Sequence, residues 1–183
     1  MHWMLMPLRR YADFTGRSRR TEYWMFVLFQ LLAYGALFVL FFGLLGTAFT
    51  MNNQSGAAAG IIGFIGLMLV GFVIWLALLV PSLAVTVRRL HDTNRSGWWF
   101  GGYLLANFGF NIVSGAMLTT LGQSASSPEQ MMMAMGGLVG LFGIAMFVYA
   151  ITLLVFFCLD GTPGPNRYGP DPKGRADAGN IFA

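Results

Sequence analysis

The chain has 183 residues, of which 56% are hydrophobic, 15% are aromatic and only 10% are charged. A soluble globular domain carries roughly 25% charged residues, so this composition excludes an ordinary soluble protein and indicates a membrane protein. The formal net charge of +4 would suggest a nucleic-acid partner in a soluble chain. Here we expect no nucleic-acid partner, because basic residues beside apolar segments set membrane orientation and contact the lipid bilayer.

The N-terminal segment, residues 1–22, mixes five arginines with aromatic and aliphatic side chains. This mixture is typical of a segment that lies along the headgroup region of a membrane. Ser18 is a candidate N-cap, and Glu22 falls in the first helical turn, where the helix dipole favours a carboxylate. We therefore predict a helix that begins near Arg19 and continues directly into the membrane.

Four apolar stretches follow, each long enough for a transmembrane helix of about 20 residues. They cover residues 23–49, 57–87, 98–121 and 131–159. Pro81 lies inside the second stretch, and since proline removes a backbone donor, we predict a kink or a break there. The predicted fold is all-α, a polytopic membrane protein with a four-helix membrane domain over residues 23–159.

The basic residues are confined to three stretches of the chain. All eleven lie in residues 1–22, in the predicted loop 88–97, or in the Pro/Gly-rich tail 160–183. By the positive-inside rule these three stretches face the cytoplasm, so both termini are predicted to be cytoplasmic. Four spans satisfy this alternation, whereas three or five would not.

These three stretches are the ends of packed helices, so we expect them to converge on one face as a candidate binding site. The paired N–H donors of an arginine guanidinium match the oxygens of a phosphate or carboxylate group. The ligand could therefore be an anionic lipid, a phosphorylated metabolite or an acidic partner segment. The alternative is an orientation signal with salt bridges from Glu22 or Asp92 to a nearby arginine. The candidate residues are Arg17, Arg20, Glu22, Tyr23, Trp24, Arg88, Arg89, His91, Asp92, Arg95, Trp98, Asn166, Arg167 and Tyr168.

Three blocks of sequence carry a resemblance to a known family. They run from Phe14 to Trp24, from Arg88 to Trp99 and from Asp160 to Asp171. In this order, and at these joints between spans, they resemble the signature blocks of the YhaH-like bacterial inner-membrane proteins, family 805 of the domains of unknown function. The resemblance covers nearly the whole chain. It implies a small multi-pass protein of the bacterial inner membrane and no assigned reaction.

The third span carries a polar stripe at helical spacing, formed by Tyr103, Asn107, Asn111 and Ser114. Polar side chains at this depth should face protein. They either line a cavity for a polar ligand or form hydrogen bonds between helices, and we favour the second because such bonds are common in membrane bundles. A small transporter or channel that uses the Asn107/Asn111 stripe is therefore the alternative function.

The sequence does not favour an enzyme. Neighbouring residues on a helix do not face the same point, so His91 and Asp92 do not form a catalytic or metal-binding pair. His2 is the only other histidine, and Cys158 is the only cysteine. We therefore expect no catalytic residues, no metal and no cofactor, and we predict a non-catalytic binding or adaptor protein.

Glycines recur on one side of the fourth span. They are Gly136, Gly140 and Gly143. Small residues at such spacing let a second helix approach closely. The sequence is therefore compatible with a homo-oligomer, although a four-helix monomer could use the same faces internally.

Overall fold

The computed structural model describes residues 2–50, 54–124 and 127–174. The helices are α1 (His2–Arg9), α2 (Arg20–Thr50), α3 (Gln54–Asp92), α4 (Trp98–Ser124) and α5 (Pro128–Cys158). The described ranges contain no strand beyond an isolated two-residue bridge between Asn166 and Gly169. The predicted all-α class is confirmed. The end of the predicted tail, residues 175–183, lies outside the described residues.

Three of the described helices are long and apolar enough to cross a membrane. These segments are Arg20–Gly46, Gly60–Asp92 and Val139–Cys158. Helix α4, with 27 residues, carries the polar stripe and is not among the three. Many large apolar side chains along the helices are more than half exposed, for example Leu31, Phe38, Val39, Ile62 and Leu141. Such continuous apolar surface is typical of a protein whose surrounding solvent is lipid.

The chain divides into two compact units, Met1–Arg89 and Leu90–Ala183. The N-terminal unit contains α1, α2 and most of α3. The C-terminal unit contains the last residues of α3 together with α4, α5 and the tail. Each unit has its own packing.

The core of the N-terminal unit joins all three of its helices. Phe26 of α2 packs with Leu78 and Val85 of α3, and all three side chains are buried. Leu8 of α1 packs against the same cluster. Because burying a large apolar side chain contributes about 2 kcal/mol, this cluster holds the N-terminal helix against the two long helices.

Helix α3 passes through Pro81 without interruption, so a break at this residue, one of the two predicted outcomes, is wrong. Proline cannot donate to the carbonyl of Ala77, four residues earlier. The phenol of Tyr11 supplies the missing donor, with Oη 2.8 Å from Ala77 O. The hydroxyl of Ser82, next to the proline, also accepts a hydrogen bond from the Gln30 amide. The helix continues through proline because neighbouring segments hydrogen-bond to it here.

Helix α3 also ends later than predicted, since residues 88–92, assigned to a loop, are helical. The end is a Schellman motif in which Asn94 has a left-handed φ of 58°. Asn94 N donates to His91 O at 3.0 Å, and Arg95 N donates to Leu90 O at 2.9 Å. The predicted boundary is wrong because arginine does not end a helix: the last turns of a helix favour cations.

The C-terminal unit is organised by aromatic contacts between α4 and α5. Phe110 and Phe142 stack with ring centroids 3.7 Å apart. Trp99 meets Phe156 edge to face at 5.3 Å, and the hydroxyl of Tyr149 donates to Trp99 O at 2.6 Å. The contacts of Trp99 join the start of α4 to the C-terminal half of α5, and the contact of Phe110 joins the middles of the two helices.

Candidate functional site

Three of the arginines proposed from the sequence are buried in the N-terminal unit. Arg17 is 5% exposed, while Arg88 and Arg89 are fully buried. Glu22 is buried as well, and its Oε1 accepts a hydrogen bond from Arg88 Nη2 at 3.2 Å. Burying a charge is costly unless it is paired. The salt bridge from Glu22 to a nearby arginine, which the alternative interpretation predicts, is therefore observed at Arg88.

A second ion pair lies beside Arg88 and was missed in the sequence. Arg10 donates to Asp13 Oδ2 through Nε at 2.9 Å and Nη2 at 2.6 Å. The amide and hydroxyl of Thr15 donate to Asp13 Oδ1 at 3.0 and 2.6 Å. The Thr15 hydroxyl and the Arg10 guanidinium lower the pKa of Asp13 from 3.8 to about 2. Asp13 followed two residues later by threonine is the turn pattern that could have revealed it.

Two donor nitrogens of Arg88 have no acceptor among the described residues. Its Nε and Nη1 are buried without a hydrogen-bond partner, and so is Ser18 Oγ. The predicted N-cap at Ser18 is therefore wrong. Helix α2 begins at Arg20, with Tyr23 N donating to Arg19 O at 3.2 Å. The Ser18 amide instead donates to Arg88 O at 3.1 Å, so backbone geometry rather than the hydroxyl fixes this residue.

The N-terminal unit also carries an excess of positive charge. It contains seven arginines against two carboxylates, whereas the C-terminal unit contains four basic and five acidic residues. We name one group of residues the N-terminal charge cluster. Its members are Arg10, Asp13, Arg17, Ser18, Glu22, Arg88 and Arg89. The N-terminal unit, which contains this cluster, has a formal charge of +5 (seven arginines minus two carboxylates), and the C-terminal unit has a formal charge of −1 (four basic minus five acidic residues).

The other site candidates of this unit lie at the start of α2. Arg20 is half-buried. Tyr23 packs against the apolar core and meets Trp24 edge to face at 5.3 Å. Trp24 itself is exposed, which suits the aromatic belt at a membrane surface.

In the C-terminal unit, the described part of the tail, residues 160–174, closes the end of α3, and we call it the tail cap. Thr162 N donates to Asp92 O at 2.9 Å. The side-chain amide of Asn166 donates to His91 O at 2.9 Å. The last carbonyls of a helix have no partner within the helix. The tail therefore caps α3 through backbone acceptors, a role that the sequence did not indicate.

Close packing reinforces the tail cap. The rings of Tyr168 and His91 stack with centroids 3.8 Å apart. Asn166 Oδ1 accepts from Tyr168 N at 2.9 Å. A Cβ added at Gly161 would overlap the carboxylate of Asp92. Glycine is therefore required at this position by contact with the buried Asp92 side chain.

The remaining candidates of this unit serve different contacts. The guanidinium of Arg95 lies 3.6 Å from the ring centroid of Phe156, a cation–π contact. Arg167 Nη2 donates to Asn94 O at 3.4 Å. Trp98, at the start of α4, is 74% exposed. The structure thus brings Arg167 to the end of α3 and leaves Trp98 on the surface.

In the polar stripe of α4, the Tyr103 ring packs edge to face on Tyr149 of α5 with centroids 5.7 Å apart, and the other three side chains donate within α4. Asn107 Nδ2 donates to Tyr103 O at 2.9 Å, and Asn111 Nδ2 donates to Asn107 O at 2.7 Å. Ser114 Oγ donates to Asn111 O at 3.2 Å. Each side chain therefore donates to its own helix, because the carbonyl three or four residues earlier is the nearest acceptor.

A cavity of about 620 Å³ lies in the N-terminal unit, between α2 and α3. Its lining is almost entirely apolar and includes Phe38, Phe41, Phe72 and Trp75. Such a lining suits lipid chains, and its hydrogen-bonding side chains are those of Tyr34 and Trp75. In the described part of the chain, no group of three His, Cys, Asp or Glu side chains is placed to hold a metal ion.

Comparison with known proteins identifies the family of this chain. The family described as Protein of unknown function (DUF805) matches residues 11–170. The chain belongs to the DUF805 family. It is 32% identical to Inner membrane protein YhaH of Escherichia coli (strain K12) over 173 residues, which cover 94% of this chain and 98% of that protein. It is also 32% identical over 176 residues to Inner membrane protein YhaI of the same strain, covering 94% and 97%. No solved structure matches the chain.

DUF805 membership confirms the family that the three sequence blocks resembled. Both relatives are named inner membrane proteins, and three described helices are apolar enough to span a membrane. The chain is therefore a multi-pass inner membrane protein. The family description assigns no reaction.

Proposed function

We propose that this DUF805 protein is a non-catalytic binding or adaptor protein of the inner membrane, whose arginines recognise an anionic lipid, a small ligand or an acidic partner. The observation that carries the proposal is the burial of Arg17, Arg88 and Arg89. Orientation in a membrane needs only exposed positive charge. Buried guanidinium groups instead suit recognition of planar or tetrahedral anions by directed hydrogen bonds.

The proposed topology has four spans, with α4 as the third, and places both termini in the cytoplasm. The positions of the eleven basic residues support it, because they lie before α2, around the end of α3 and after α5. Alkaline phosphatase fused at Gln54 or Ser127 should be active, and a fluorescent protein fused to the C-terminus should fluoresce. An active phosphatase at the C-terminus would contradict this topology.

Native mass spectrometry of the protein in mild detergent tests the binding role. Wild type should retain an anionic lipid or metabolite, and the double variant Arg88→Ala/Arg89→Ala should lose it. Arg9→Ala is the matched control, because Arg9 is an exposed arginine at the end of α1. Equal retention of anions by wild type and the double variant would remove the proposed role. The same spectra count subunits and so test a homo-oligomer.

A small transporter or channel has less support. The side-chain amides of Asn107 and Asn111 each donate one hydrogen bond within α4, whereas a path through the membrane needs polar groups that face a substrate. Flux of small polar solutes into proteoliposomes tests this alternative. Flux that is lost in Asn107→Leu/Asn111→Leu would favour the transporter.

A further inference from the structure

We propose that Arg88, Ser18 and Arg10 form a binding site for a phosphate group, and that Asp13 is the internal carboxylate that the phosphate displaces. The inference rests on the proposed function and names the chemistry of its ligand. It applies to a lipid headgroup and to a soluble phosphate alike, because both present the same tetrahedral oxygens.

The site contains unused donors. Arg88 Nε, Arg88 Nη1 and Ser18 Oγ are buried, and within the described residues none of the three has a hydrogen-bond partner. Most buried polar atoms in proteins are hydrogen-bonded, so three orphans in two neighbouring residues point to a missing acceptor. The amide of Ser18 bonds to Arg88 O at 3.1 Å, which keeps the two residues together.

Asp13 lies near Arg88 without hydrogen-bonding to it. Its Oδ2 lies 3.8 Å from Arg88 Nη1, which satisfies ion pairing but is too long for a hydrogen bond. Asp13 is held away by Arg10 and Thr15, which bind the same carboxylate at 2.6 Å. An anion that is free to move can approach Nη1 more closely than this tethered side chain.

Arg10 and Asp13 connect the site to water. Their side chains are 35% and 34% exposed, whereas that of Arg88 is fully buried. A phosphate that enters from water therefore meets Arg10 first and reaches Arg88 when Asp13 moves aside.

The unused donors favour phosphate over carboxylate. A carboxylate has two oxygens, and Glu22 already supplies one to Arg88 Nη2. The remaining donors come from two residues, Arg88 and Ser18, and a tetrahedral group with four oxygens can accept from both residues at once. The excess of five positive charges in this unit also favours a ligand of higher negative charge.

The test uses the full chain, delipidated in a neutral detergent and checked for helix content by circular dichroism. The probes are dioleoylphosphatidylglycerol, followed by native mass spectrometry, and inorganic phosphate, followed by titration calorimetry. Arg88→Lys keeps the charge but loses the fork, so binding should weaken about 10-fold. Arg9→Lys makes the same exchange at an exposed residue and should leave binding unchanged.

Two milder variants keep the test decisive if Arg88→Lys fails to fold. Asp13→Asn removes the competing negative charge, so binding should tighten about 5-fold. Ser18→Ala removes one donor, so binding should weaken about 5-fold. Binding that weakens in Asp13→Asn, or that is equal in Ser18→Ala and wild type, would overturn the assignment of this site.

The two probes separate the sources of phosphate. Binding of both, with mutual competition, assigns the site to the phosphate group alone, whereas binding of the lipid alone assigns it to a headgroup. Binding of neither probe overturns the inference. If native spectra still show a different anion that Arg88→Ala/Arg89→Ala removes, the proposed function stands while this site for phosphate fails.

Discussion

In the tail cap, Thr162 and Asn166 donate to the carbonyls that end α3, whereas in the N-terminal charge cluster two nitrogens of Arg88 lack an acceptor among the described residues. Both regions are polar and both lie at helix ends. The tail cap matches each of these donors with a backbone acceptor, so it suits a structural role. In the charge cluster, Arg88 Nε and Nη1 have no hydrogen-bond partner among the described residues, so the cluster suits binding of an anion. This contrast predicts that variants of the tail cap affect stability first, and variants of the charge cluster affect ligands first.

The largest effect on stability is expected for Gly161→Ala. The added methyl group would overlap the buried Asp92 carboxylate, and such overpacking costs about 3 kcal/mol. The tail should detach from α3 and become sensitive to protease. Gly109→Ala is the matched control, because no atom in the described structure lies within 4 Å of a Cβ there. A tail as resistant in Gly161→Ala as in Gly109→Ala would contradict the role assigned to the tail cap.

A smaller loss is expected for Asn166→Ala. This variant removes the side-chain donor to His91 O and the acceptor for Tyr168 N, which should cost about 2 kcal/mol. Asn166→Asp keeps the acceptor for Tyr168 N but places a carboxylate oxygen against His91 O, so its melting temperature in detergent should also fall below that of wild type. If Asn166→Asp has the same melting temperature as wild type, the hydrogen bond to His91 O does not stabilise the tail cap.

Much of the fold could be predicted because apolar length and charge are visible in the sequence. The all-α class and the approximate bounds of the long helices follow from them. The end of α3 could not be predicted from charge, because Arg88 and Arg89 continue the helix and Asn94 ends it by its left-handed conformation. A side chain on a distant segment, Tyr11, also decides how the helix tolerates Pro81.

The contacts of the candidate residues were less predictable than their residue types. Arg88, Glu22, His91 and Asn166, all candidates from the sequence, take part in specific contacts. Arg10 and Asp13 were missed, because an ion pair three residues apart near a chain end looks like ordinary surface charge. Composition does not show that the Asp13 carboxylate lies near Arg88. The distance from Asp13 Oδ2 to Arg88 Nη1 does.

The N-terminal unit offers a third test, in which Tyr11→Phe removes the donor to Ala77 O. The loss should cost about 1 kcal/mol, since the carbonyl has no amide donor at Pro81. In the background of Pro81→Ala the helix regains its own amide donor, so Tyr11→Phe should then cost much less. Thermal melting of the four proteins of this double-mutant cycle measures the coupling. Equal costs in both backgrounds would show that the phenol does not replace the missing amide.

The smallest expected effect is a dependence of stability on pH in the N-terminal charge cluster. Chiefly the Thr15 hydroxyl, and also Arg10, lower the pKa of Asp13 from 3.8 to about 2. A carboxyl group with a lowered pKa in the folded protein contributes stability that is complete above about pH 4 and is lost as the pH falls toward 2. The Asp13 signal in carbon NMR should therefore not change between pH 8 and pH 5, and its midpoint should move toward 3.8 in Thr15→Ala. A wild-type midpoint already near 3.8 would show that Asp13 is not held by Thr15 and Arg10. Asp13 would then be free to approach Arg88 Nη1, and the difference between a satisfied tail cap and a charge cluster with spare donors would lose its clearest support.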